Sequence, residues 1–182
     1  MYPPILTAEQ FSTGTNGLVP VNDPRLPLLL GGATSAIRRY CGWHVTPEAP
    51  ETFTLDGEGG QILSLPTLRL VDVFSVLECG RIVDPGEYEW STNGELRKLS
   101  GWTGVWRGIT VICQHGFDAP DLAQVVQQIV ANALASPLGV TREQAGQVSV
   151  AWSSTAPGVS GGISLLERDL NVLNQYRLPR KA

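Results

Sequence analysis

The run from Phe117 to Ser136, FDAPDLAQVVQQIVANALAS, constrains the fold more than any other stretch of the chain. Leu122, Val125, Val126, Ile129, Val130, Ala133 and Leu134 fall at the i, i+3, i+4, i+7, i+8 spacing of one helical face. Asp118 is placed to cap the orphan amides, Pro120 suits a first turn that needs no N–H, and Asp121 sits at the positive end of the dipole. Pro137 and Gly139 end the pattern. Burying its six large apolar side chains is worth roughly 10–15 kcal/mol gross. Ordering entropy opposes that gain, so the helix needs a partner surface. Its other face, with Gln124, Gln127, Gln128 and Asn132, is rich in amides and carries no charge, which is unusual for a face that meets only water.

A second helical pattern begins at Asp23-Pro24, with Leu26, Leu30, Ala33, Ile37 and Tyr40 on one face and Gly42 as its stop. Gly31-Gly32 costs it about 2 kcal/mol relative to alanines, so either packing compensates or the helix starts after the glycines. Before it, residues 1–22 read as an arm with at most a turn of helix around Ala8 to Phe11.

From Thr52 to His115 the period changes to that of strands. Phe53–Leu55 and Ile62–Leu65 flank the glycine-rich Asp56–Gly60 and predict a hairpin. Leu68–Cys79 is apolar on both faces and predicts a central strand. Cys79-Gly80 turns into Arg81–Val83, Asp84-Pro85-Gly86 turns again, and Glu87–Trp90 and Glu95–Lys98 flank Asn93-Gly94, a strong hairpin signal. Ile109, Val111 and Cys113 alternate along a last strand leading into the opening helix. The predicted class is therefore α+β: a helical core over residues 23–137 with an inserted antiparallel β region. Residues 138–162 read as a Gly/Ser/Pro linker holding a short strand, Gln147–Trp152. Residues 163–182 read as a helix started by a Ser164…Glu167 capping box, followed by a basic tail.

Little of the chemistry that can be spelled from these residues survives inspection. Gly158-Val159-Ser160-Gly161-Gly162 is a G-x-S-x-G string, but His44 and His115 both precede Ser160, the reverse of the hydrolase order. Cys41, His44, Cys113 and His115 offer two thiols and two imidazoles, without the C-x-x-C spacing of a structural zinc site. Free cysteines of this kind are usually buried small hydrophobes. Asp56 and Glu58 lie in a glycine-rich turn but not in a calcium loop. No catalytic residue, metal or cofactor is expected. The net charge of −4 argues against a dedicated nucleic-acid binder, and the absence of a long apolar run argues against membrane insertion. An odd count of 3 cysteines fits a reducing compartment. Of the 5 tryptophans, Trp102 and Trp106 in a glycine-rich loop are the ones expected to face a partner.

Ala36-Ile37-Arg38-Arg39-Tyr40-Cys41-Gly42-Trp43, Phe53-Thr54-Leu55-Asp56-Gly57, Leu65-Pro66, Val71-Asp72-Val73, Tyr88-Glu89-Trp90 and His115-Gly116-Phe117 ahead of the Pro120 helix form a constellation between Leu28 and Ala135. In their order and spacing the chain resembles the head–tail connector (head-completion adaptor) family of long-tailed, siphovirus-type bacteriophages. The resemblance implies a non-enzymatic virion protein of the head–tail junction, assembled in the host cytoplasm. It implies a homo-oligomeric, dodecameric ring under the portal protein that extends the DNA channel, contacts channel DNA non-specifically and offers a surface to the tail or a head-closure protein. It also implies that C-terminal segments hold the portal.

On this reading Leu166, Leu170, Leu173, Tyr176, Arg177 and Arg180 are the expected portal contacts, on a helix that docks outside the subunit core. Val148, Val150 and Trp152, with Trp102, Trp106, Gln124 and Gln128, are the expected subunit interface, the strand at Gln147–Trp152 pairing with a neighbouring subunit. A small serine hydrolase using Ser160 and a DNA-binding module are the competing readings.

Overall fold

The structure is a computed structural model that describes residues 2–135, 142–145, 148–151 and 165–179; of the two short strands after 141 only the backbone is described. It is α+β, with four α-helices and antiparallel sheets. The chain divides into a helical unit, residues 3–41 and 119–177, and a β unit built on residues 42–118.

In the helical unit, α1 (Ala8–Gly14) opens the chain. The Thr7 hydroxyl accepts from the Gln10 amide and the Gln10 side chain accepts from the Thr7 N–H, a reciprocal cap. Phe11 is fully buried, so this segment is two turns of packed helix in place of the expected arm. Helix α2 (Leu26–Cys41) runs straight through Gly31-Gly32 and buries Leu26, Leu30, Ala33, Ile37 and Cys41. Packing along that face outweighs the two glycines. Helix α3 (Pro120–Ala135) has Pro120 as its first residue and buries Leu122, Val125, Val126, Ile129, Val130 and Ala133, the expected stripe.

Helix α4 (Glu167–Leu173) starts later than its sequence pattern implied. Leu166 is the N-cap, and the Asp169 carboxylate accepts the Leu166 N–H at 2.9 Å, so the reciprocal half of the cap belongs to Asp169 and not to Glu167. A 3₁₀ turn, Asn174–Tyr176, continues it.

The β unit holds two sheets. One has the order β1-β7-β3-β4, from β1 (Ala49–Leu55), β7 (Ile109–His115), β3 (Leu70–Glu78) and β4 (Arg81–Ile82). The other has the order β2-β6-β5, from β2 (Ile62–Ser64), β6 (Glu95–Lys98) and β5 (Tyr88–Ser91). The expected Phe53–Leu65 hairpin is therefore not a ladder. β1 pairs over its whole length with β7, from Ala49↔His115 to Leu55↔Ile109, and β2 pairs with β6. The glycine-rich turn instead carries the chain from one sheet to the other. β3 is an inner strand, as its two apolar faces implied, with register shifts after Leu70 and Val73. Cys79 and Gly80 both have positive φ, 50° and 78°, the pair that a tight two-residue hairpin turn requires. β5 and β6 close at Ser91↔Glu95 around Thr92-Asn93-Gly94, a three-residue loop with Gly94 at φ 86°. Phe53, Leu65, Leu70, Val76, Leu96 and Ile109 are among the side chains of the common core between the sheets.

Candidate subunit and partner interfaces

The loop between β6 and β7 separates the two tryptophans that the sequence had grouped. Trp102 is only 4% exposed, lies 6.3 Å from the Tyr88 ring and has the Lys98 ammonium 5.2 Å above its own. It is a core anchor, which corrects its expected place at an interface. Lys98 is itself buried and paired with Glu78. Trp106, four residues on, is 83% exposed, with Val105 and Arg107 exposed on either side of it.

A loop that carries a free tryptophan is usually loose; this one is clamped. Gly57 N–H donates to Val105 O at 2.9 Å, Gly59 N–H to Thr103 O at 3.3 Å, and Arg107 N–H to the Asp56 carboxylate at 2.7 Å. Thr103 N–H donates to Glu78 Oε1 at 2.5 Å, and Gly108 N–H to Val105 O at 3.0 Å. The approach is so close that a Cβ on Gly57 would lie 1.9 Å from the Thr103 carbonyl oxygen. Asp56 and Glu58, weighed above as calcium ligands, sit beside this clamp, and Asp56 is occupied with the Arg107 amide. Trp106 is thus presented on a preorganised turn at little ordering cost to a partner.

Sheet β2-β6-β5 presents a second surface. Ile62, 57% exposed, and Trp90, 39% exposed, line a shallow groove of about 320 Å³ with Glu89, Ser91, Glu95 and Arg97. Arg97 pairs with Glu89 at 2.5 Å. Neither Glu95 nor Arg107 has an ion-pair partner among the described residues.

In the helical unit Gln124 and Gln128 are exposed on α3, as expected, and with Gln127 and Ala131 line a second open groove. Gln127 donates to the Gly14 carbonyl at 3.0 Å and so belongs to the fold of the unit.

The C-terminal helix is a correction. Leu173 is fully buried and its carbonyl accepts from the Cys41 thiol at 3.8 Å. Tyr40 OH donates to the Asn174 side chain at 2.5 Å, and the Arg177 guanidinium lies 5.1 Å over the Tyr40 ring. Tyr176 OH lies 2.9 and 3.1 Å from the two Asp121 oxygens, and burial, reinforced by that carboxylate, pushes its phenol up to about 12. A helix of two turns is not stable alone in water, so it folds back on α2 and α3. Leu173, Tyr176 and Arg177 are spent inside the unit, while Leu166 and Leu170 are half-buried. Arg180 lies outside the described residues.

The strand at Val148–Ala151, β9, pairs antiparallel with β8 (Arg142–Ala145) from Ala145↔Val148 to Arg142↔Ala151. Its ladder partner is thus its own chain, which corrects the expectation that it seeks only a neighbour's edge. Trp152, Ser160 and the linker glycines lie outside the described residues.

His44 and His115 face each other inside the β unit, ring centroids 4.8 Å apart, with Tyr2 stacked on His44 at 4.3 Å. All four of their ring nitrogens are buried. Glu51 reaches His115 Nε2 at 2.8 Å. Burial holds the His115 imidazole below its usual range, against the opposing pull of Glu51. Cys113 and Cys41 are buried thiols, pushed up to about 12 and about 11. Among the described residues no group of three or more His, Cys, Asp or Glu is placed to hold a metal ion. None of the described helices is long and apolar enough to cross a membrane.

No family model and no curated protein matches the chain. Solved structures do. One is a chain of the neck of a native GTA (gene transfer agent, phage-like) particle computed with C12 symmetry: TM-score 0.58, 14% identity, over 100% of this chain and 97% of that one. Another, from the neck of an empty GTA particle computed with C6 symmetry, has TM-score 0.55 and 14% identity over 98% of this chain and 92% of that one. At such identity the likeness is one of fold, and it runs end to end.

Proposed function

We propose that this chain is a structural subunit of the neck of a phage-like particle, a head-to-tail connector that works as a ring of copies. The observation that carries this reading is the end-to-end likeness in fold to chains from particle necks of C12 and C6 symmetry. The surface agrees with a subunit completed by neighbours: a clamped loop presenting Trp106, an uncharged amide face on α3, and only 16% charged residues. In this reading the ring is dodecameric, sits under the portal, extends the DNA channel and offers the tail or a head-closure protein its attachment surface. Leu166, Leu170 and Arg180 remain candidates for the portal contact. Among the described residues the β8–β9 ribbon pairs with no third strand, and its edges are offered to a neighbour.

The test is genetic and visual. Particles assembled without this chain should accumulate as heads with portal but without attached tails, and purified protein added back should restore attachment. Normal tailed particles in its absence would overturn the proposal.

A further inference from the structure

We propose that the Trp106 turn of one copy docks into the Ile62–Trp90 groove of the next copy, with Arg107 meeting Glu95. The inference rests on the ring reading and gives it a direction. A ring needs a heterologous contact, in which two different patches of one chain complement each other and a single patch facing itself does not suffice. The β unit carries both halves. One half is convex: an indole 83% exposed on a turn that five hydrogen bonds hold rigid, flanked by Val105 and Arg107. Trp and Arg are the residue types over-represented where binding energy concentrates, and a preorganised turn loses little entropy on docking. The other half is concave: an aromatic and an aliphatic side chain in a groove of about 320 Å³, roomy enough for one large side chain. Charge complements shape. Among the described residues neither Arg107 beside the indole nor Glu95 at the groove has an ion-pair partner, whereas Glu89 and Arg97 already neutralise each other. Trp106 and Ile62 are moreover both large apolar side chains that the described fold leaves exposed on the β unit.

Full-length chains with Cys79→Ser, which removes the exposed thiol, carry Val105→Cys beside the intact indole in one preparation and Ile62→Cys in the other. Mixed under mild oxidation, they should give a disulfide-linked dimer containing one copy of each, and neither alone should give a linked dimer. In parallel, Arg107→Glu or Glu95→Arg alone should weaken self-association about tenfold, and the two together in one chain should restore it. If the Cys79→Ser parent self-associates by light scattering but no mixed dimer forms, or if Val105→Cys links to its own kind, this contact is wrong and the ring reading stands. If the parent stays monomeric at every concentration and also on portal-bearing heads, the ring reading fails with it.

Discussion

The Tyr176 hydroxyl donates to the Asp121 carboxylate, joining the 3₁₀ turn after α4 to the first turn of α3. That bond and the buried Leu173 make the C-terminal helix part of the helical unit, which decides how truncation behaves.

Leu173→Ala should therefore cost about 2–5 kcal/mol, the range for a leucine removed from a packed core. Tyr176→Phe should cost about 1 kcal/mol, at the low end for a bond to a charged acceptor because the pair is partly open to solvent. Chemical denaturation of the full chain measures both. Losses below 0.5 kcal/mol for Leu173→Ala, the size typical of surface changes, would mean that α4 is not held by this packing.

Gly57→Ala should loosen the Trp106 turn without touching Trp106. The added carbon meets the Thr103 carbonyl, a backbone atom that no side-chain rotation can clear. Overpacking of this kind typically costs about 1–3 kcal/mol. Hydrogen exchange at the amides of Gly57, Gly59, Arg107 and Gly108 should accelerate, while the amides of β7 keep their protection. Unchanged exchange at all four would show that the clamp is not what orders the turn.

Acid should destabilise the protein through His115. Its imidazole is held below the ordinary value of 6.5 in the fold, so the unfolded chain binds the proton more readily. Stability from this group is therefore full above pH 6.5, begins to fall as pH drops past it, and stops falling below the depressed value. Denaturation midpoints between pH 8 and 5 should trace that decline. Glu51→Gln, which removes the charge that favours the imidazolium, should deepen it. A midpoint flat across the window would refute the assignment.

The elements that announced themselves in the sequence were those whose partner is their own periodicity. The stripe on α3, the face of α2 and the alternation along β7 each appear where the residues put them. Pairings between distant segments were not legible. Nothing local marks Phe53–Leu55 as a partner of the remote Ile109–His115 in preference to the nearby Ile62–Leu65. Trp102 and Trp106 share a loop and its glycines, and nothing local says that Lys98 and Tyr88 bury the one and leave the other out. Leu166, Leu170 and Leu173 spell an apolar line, but a line does not say whether the surface it meets belongs to the same chain or to another.

The pairing of Ala49 with His115 means that the β unit's sheet begins and ends on a single rung. Directly opposed Cα atoms in an antiparallel pair lie about 4.5–5.5 Å apart, a gap that a residue or two can span. The two ends of the β1–β7 segment therefore leave it side by side, and an insertion or deletion in its interior loops leaves their spacing unchanged. If the docking turn and its groove both ride on that segment, the specificity of one assembly for its own copies can be transplanted as a single graft.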